Sequence, residues 1–319
     1  MEKHIYLAAC DIEGGVYHCI LTEDGRLKIK DFTPMDRPMY LAVEGDRMHV
    51  LLRKPWDDSE NSGIVTYRID ENGALKDPGA LVSTQGVVGC HLSVYENAVY
   101  AANYVSGSVI RMPDILVQHH GRSVHPTRQE KEHSHFIHPT PDGKYLLVCD
   151  LGMDAVITYD KDLHEISRAQ VPAGNGARHI AFSPDGKWVY CACELSSSVS
   201  VFAYADGILT FTGDYPALPA DFTGESTAAA IRYHDGCVWV SNRGHDSVTV
   251  FSADGGKLTL KAYIPSGGKD PRDFDLFGSY MICTNQTSDN VTVTRVTEDG
   301  AEQTDVLTGI QCALCVVGI

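Results

Sequence analysis

Arg178 and His179 stand in the stretch GNGARHIAF, at the threshold of an apolar run. Burying such side chains is costly unless each has a partner or a task. The position recurs along the chain. His135 lies 43 residues earlier, Arg272 precedes Asp-Phe in DPRDFDL as Arg178 precedes His-Ile, and His91 in GCHLSVY fits with a small deletion. A second set lies five residues before the first Val of a later alternating run. It comprises Glu194, Arg243, Gln286 and Tyr104, with Asp150 one residue off. Arg forks grip carboxylate or phosphate at two points. Glu and His act as general base and acid when their surroundings tune them, and Arg beside a carbonyl stabilises an oxyanion.

These residues are positioned by a repeat. TPDGKYLLV begins at Thr140 and SPDGKWVYC at Ser183, again 43 residues apart. Alternating runs follow at DAVITYD, SSVSVFAY, DSVTVFSA and DNVTVTRV, each closed by a turn such as EDGRL, ENGAL, ADGIL or ADGGKL. Asp-Gly and Asn-Gly between alternating apolar runs mark hairpins, because the turn needs positive φ. Helical periodicity is nearly absent. About four short strands per 43 residues predicts an all-β, seven-bladed β-propeller of four-stranded antiparallel blades, forming one domain over residues 1–319. Inner strands should start near Met39, His91, His135, Arg178, Thr227, Arg272 and Gln311. The lone C-terminal strand IQCALCVVGI should complete the N-terminal blade and close the ring. The start of a blade's first strand and the end of its second share a face, so both polar sets should converge on one channel mouth. Polar residues at strand starts also serve merely to satisfy backbone groups or to solvate a channel. Six of them at two register positions weigh toward function.

Composition narrows the partners. The chain has 319 residues, 43% of them hydrophobic, and a formal charge of -16. That charge argues against nucleic acid, which needs clustered Lys and Arg. An anionic substrate would need a local basic cluster. No signal-like or membrane-spanning apolar run is visible, so a cytoplasmic protein that avoids membranes is expected. The ten cysteines should be reduced thiols replacing Val or Ala at buried strand sites, as at Cys191 and Cys283, and Cys312-x-x-Cys315 stands alone. No Gly-rich phosphate loop, G-x-S-x-G elbow, usual metal signature or sign of a cofactor is present. A monomer or weak homo-oligomer is expected.

His133 shares a strand face with His135 and joins the candidate binding residues, together with His179. His138, on the opposite parity, reads as structural. The insertion QHHGRSVHPTRQEKEHSH either folds over the mouth, bringing Arg128 and Gln129 to it, or is a solvated loop.

The stretches PTRQEKEHSHFIHPTPDGKYLLVCDLGMDAV, GNGARHIAFSPDGKWVYCACELSSSVSVF, SNRGHDSVTVF and DPRDF with TNQTSDNVTV resemble the seven-bladed propeller lactonases. That group includes the bacterial propeller-type 6-phosphogluconolactonase and the fungal carboxy-cis,cis-muconate cyclase. The resemblance covers roughly residues 120 to 295; the N-terminal third matches by repeat pattern. It implies a catalytic set of His135, Arg178, Glu194 and Arg243; the register reading adds His91, His133, Asp150, His179, Arg272 and Gln286 as expected substrate-binding residues. Ala177 replaces the usual Pro before Arg178, and Ala-Cys precedes Glu194 where Val-Asn is usual; neither change removes a functional side chain. The implied activity is hydrolysis of a sugar-derived lactone, foremost 6-phospho-D-glucono-1,5-lactone, with Glu194 or His135 as base. A muconate-type cycloisomerase and a non-catalytic binding scaffold are the alternatives.

Overall fold

The computed structural model describes residues 3–319. Seven antiparallel sheets form the blades of a ring, and no strand crosses between blades except at the closure. The inner strands are Pro38–Glu44, Gly89–Tyr95, Ser134–Pro139, Ala177–Phe182, Thr227–His234, Pro271–Phe277 and Ala313–Gly318. All seven expected starts fall within two residues of these. The C-terminal strand pairs with Lys3–Ala9, setting Tyr6 opposite Val317 and Ala8 opposite Cys315. The first blade is thus built from both chain ends, which removes two free edges at once.

The Pro-Asp-Gly turns behave as their chemistry requires. Gly143 and Gly186 have φ of 64° and 68°, where a side chain would be strained. One blade departs from the four-strand pattern. Its outer strand is split into Leu75–Lys76 and Val82–Val87, which both pair with Asn61–Ile69. The intervening DPGA carries a proline that cannot donate to the ladder. The core lies between blades. The equivalent positions Ala101, Val148, Cys191, Val240 and Cys283 are all at most 1% exposed. Two of the ten cysteines therefore do fill small apolar sites, and all ten are free thiols.

The feature that matters most for function is a bulge. In every inner strand the pairing slips by a residue near its start. Arg178 is left unpaired between Ala177, opposite Cys193, and His179, opposite Ala192. His135 and Arg272 are the corresponding residues of their blades. Bulges of this kind re-aim side chains. Two residues upstream the backbone is left-handed in five blades, at Arg37, Val88, Gly176, Asp270 and Cys312, with φ of 47° to 73°. In three of these blades an aspartate at the start of a neighbouring blade's third strand pins that residue. Asp154 Oδ1 accepts from Gly176 N at 2.6 Å, Asp246 Oδ1 from Asp270 N at 2.8 Å, and Asp289 Oδ1 from Cys312 N at 2.8 Å.

Deleting residues 311–319 should abolish cooperative thermal unfolding and produce aggregates, because the first blade loses its inner strand and exposes an edge. A truncated chain that stays monodisperse with the full-length Tm would show that the closure contributes little.

Candidate active site

The bulges aim a ring of side chains into one end of the channel. The polar members are His135, Arg178 and Arg272; Met39, Cys90 and Leu314 complete the ring apart from the alanines of one blade. Just outside them lie the residues that follow each second strand. Glu194 N donates to Gly176 O at 2.8 Å, and Tyr104 N and Gln286 N make the same bond to Val88 O and Asp270 O. Both sets meet at one mouth, as the register requires.

Glu194 is the centre. Arg178 Nε donates to its Oε2 at 2.9 Å from the same blade, and Arg243 NH2 lies 3.3 Å from Oε2 from the next. Arg128 NH2 donates to Oε1 at 2.5 Å from the insertion. The Glu194 side chain is 5% exposed and that of Arg178 2%. Burial by itself would raise the Glu194 carboxyl. Arg243 and Arg178, with help from Arg128, overcome it and hold the group well below the usual carboxylate range. Burial, followed by the neighbouring Arg243, pulls the Arg178 guanidinium down from its ordinary value. The ion pair with Glu194 opposes this and is what lets so buried a cation persist.

His135 Nε2 stands 4.0 Å from Glu194 Oε2, and its buried Nδ1 has no protein partner. Burial, then the Arg178 charge, holds its pKa well below the ordinary imidazole value, so it is neutral at pH 7. Glu194, His135, Arg128 and Arg243 line a cleft of about 390 Å³, together with Arg53, Tyr104 and Arg272, while Arg178 borders a smaller cavity with His179 and Arg272. Three guanidiniums thus hold one carboxylate at the mouth, and Arg53 and Arg272 line the same cleft, in a protein whose net charge is -16.

Several expected residues stand elsewhere. His91 does not share the register of His135. Cys90 is the bulged residue, and His91 pairs with Ala102 as His179 pairs with Ala192. The small deletion inferred from the sequence was this one-residue slip. His91 and His179 form the tier beneath the mouth, with ring centroids 5.4 Å apart, and His135 stands 5.2 Å from His179. His133 lies behind the wall, stacked on Tyr104 at 4.5 Å with its Nδ1 3.0 Å from Tyr104 O. Asp150 is fully buried away from the cleft, 2.6 Å from His119 Nδ1 and accepting from His133 N at 2.8 Å. Its single-residue offset in the count is the reason: the residue that follows the strand in that blade is Leu151. Gln286 reaches the site indirectly, accepting from Arg272 NH1 at 3.3 Å. Gln129 turns inward instead, donating to Leu151 O and Asp154 Oδ1.

Residues 4–317 match the family model for the lactonases of the 7-bladed β-propeller type. The chain belongs to this family. An uncharacterized Staphylococcus aureus protein is 34% identical over 257 residues, 73% of this chain and 75% of its own. A Lactobacillus plantarum protein of solved structure superposes with a TM-score of 0.91 at 29% identity over all of both chains. A periplasmic gluconolactonase of Pseudomonas aeruginosa shares the fold, with a TM-score of 0.87 at 24% identity over 100% of this chain and 99% of its own.

In this lactonase-family propeller, two contributors escaped sequence reasoning. Arg53 follows the second strand of its blade as Glu194 does, but the loop 54–60 lengthens the count to the next Val and hides the register. Asp154 looked like one more strand-start aspartate. It accepts from Gly174 N and Gly176 N, from Ser123 Oγ and from Gln129 Nε2, tying the insertion that carries Arg128 to the turn that carries Arg178. The recurrence of Asp before Val at third-strand starts was the available signal.

Asp154→Ala should therefore cost about 3 kcal/mol, since it strands several buried donors. Chemical denaturation reads this, and a loss below about 1 kcal/mol would mean that the insertion is held by other contacts. The three histidines give a pH effect. Burial, ahead of neighbouring positive charges, keeps His91, His135 and His179 neutral, whereas unfolded histidines take up protons below about pH 6.5. The unfolded state then binds more protons, so stability rises with pH through that window and is lost on acidification. Tm should fall between pH 7.5 and 5.5, and less steeply in His91→Phe. Identical slopes would show that His91 titrates alike in both states.

Proposed function

We propose that this protein hydrolyses a sugar-derived lactone, with 6-phospho-D-glucono-1,5-lactone the leading substrate. One observation carries the reading: a buried carboxylate holding three guanidiniums beside a neutral imidazole, at the floor of an open cleft. That set suits an ester carbonyl, and the gluconolactonase among the fold relatives supports the sugar-lactone class. A phosphorylated substrate fits the excess positive charge of the mouth. We place the reaction in the cytoplasm, a reducing compartment in which ten free thiols persist.

We assign the base to His135 rather than Glu194. The Glu194 oxygens already accept from guanidiniums, whereas His135 has an Nδ1 with no protein partner and an Nε2 that meets only Glu194, at 4.0 Å. His135 takes a proton from water as the water oxygen attacks the lactone carbonyl carbon. Arg178 and Arg243 face the oxyanion that forms. Collapse breaks the bond from the carbonyl carbon to the ring oxygen. The leaving alkoxide recovers the proton from His135, and a hydroxy acid is released. Glu194 aligns the two arginines and stabilises the transient imidazolium across 4.0 Å.

Hydrolysis of freshly made 6-phosphogluconolactone above its spontaneous rate is the primary test. Arg178→Ala should lower kcat about 100- to 1000-fold, and His135→Ala about 100-fold or more. Glu194 raises the His135 pKa. Glu194→Gln should therefore reduce kcat and move the acidic limb of kcat/KM to lower pH. If His135→Ala keeps that limb and Glu194→Gln removes it, the base is Glu194.

A further inference from the structure

Arg53 is the one guanidinium lining the cleft that, among the described residues, has no ion pair or side-chain hydrogen bond. Arg128, Arg178 and Arg243 are committed to Glu194, and Arg272 donates to Gln286. Nearby charges do not neutralise Arg53. Lys54 pairs with Glu60, and Arg37 takes Asp36 at 2.5 Å. Its backbone, by contrast, is pinned at both ends. Arg53 N donates to Arg37 O at 3.0 Å, and its carbonyl accepts from Ser62 Oγ at 2.7 Å. An exposed cationic head on a fixed base, inside a cleft, is what a ligand contact looks like before the ligand arrives.

Its place in the ring says which part of a ligand it meets. Arg53 follows Arg47–Leu52 in the second blade as Glu194 follows Trp188–Cys193 in the fifth. In a seven-membered ring these positions face each other across the channel. A lactone whose carbonyl sits against Arg178 and Arg243 must extend its far end toward Arg53. A planar fork with free donors binds phosphate or carboxylate oxygens in pairs.

On the reading of a lactone hydrolase, we infer that Arg53 anchors an anionic group, a phosphate monoester or a carboxylate, on the end of the lactone remote from the reacting carbonyl, and so sets preference for charged over neutral lactones. Arg53 is a specificity residue in this assignment. It reaches across the cleft and takes no part in the proton transfer.

The test compares three lactones in the full-length protein: 6-phosphogluconolactone, the carboxylate-bearing glucaro-1,4-lactone, and neutral glucono-1,5-lactone. In Arg53→Ala, the ratio of kcat/KM for the preferred anionic lactone to that for the neutral one should fall about tenfold or more, through KM. Arg53→Lys should recover part of it, because charge remains while the fork is lost. Which anionic lactone loses more identifies the group. Equal losses on charged and neutral lactones, or no loss, overturn the assignment, as does a wild type without preference for charge. If the wild type hydrolyses none of the three, the lactonase reading itself fails. Calorimetric titration with 6-phosphogluconate and inorganic phosphate then decides separately. Weakening of about tenfold in Arg53→Ala supports an anion site, and equal affinities overturn it.

Discussion

Glu194, itself nearly closed to water, occupies the point where three positive charges meet at the floor of the cleft. Without a carboxylate there, Arg128, Arg178 and Arg243 would repel one another across a medium that screens poorly. With it, each guanidinium gains a partner, and three separate pieces of chain are drawn together: the fifth blade, the sixth blade and the long insertion. Two charges taken out of water are stabilised only when their geometry is good and their remaining valences are met. The open face of the ring is arranged to meet them.

That arrangement descends from backbone geometry. A regular inner strand would point alternate side chains into the neighbouring blades. The bulge frees one residue per blade from the ladder and turns it toward the axis. The left-handed residue two positions upstream prepares the slip, and an aspartate of a neighbouring blade pins it at Gly176, Asp270 and Cys312. Side chains of the mouth are therefore registered to one another through interblade hydrogen bonds. Asp154 extends the same device to the insertion, so one buried carboxylate helps to position both Arg128 and Arg178.

The charge distribution has a functional logic. The net charge of -16 repels anions, while the mouth gathers cations over a floor of neutral, buried histidines. A cleft of one sign in a body of the other concentrates field lines at the opening. Family membership and this electrostatic pattern agree on a small molecule with a polar, carbonyl-bearing end.

The repeat, the seven blades, the closure by the C-terminal strand and the convergence of His135, Arg178, Glu194, Arg243 and Arg272 were legible in the sequence. Strand periodicity, turn chemistry and a constant spacing are local properties, and local properties are written in order along the chain. Less was legible wherever the count depended on pairing. His91 was assigned to the mouth because a one-residue slip cannot be told from a deletion until Cys90 is seen to leave the ladder. Asp150, one residue off the second register position, and His133, on the strand face of His135, were grouped with the mouth but point into the wall. Arg53 was hidden by a longer loop, and the choice of Arg128 over Gln129 depended on how an irregular insertion packs. Sequence alone determined which residue types recur and how often; only the tertiary structure decided which of them face the same water, because a bulge or loop shifts direction without altering composition.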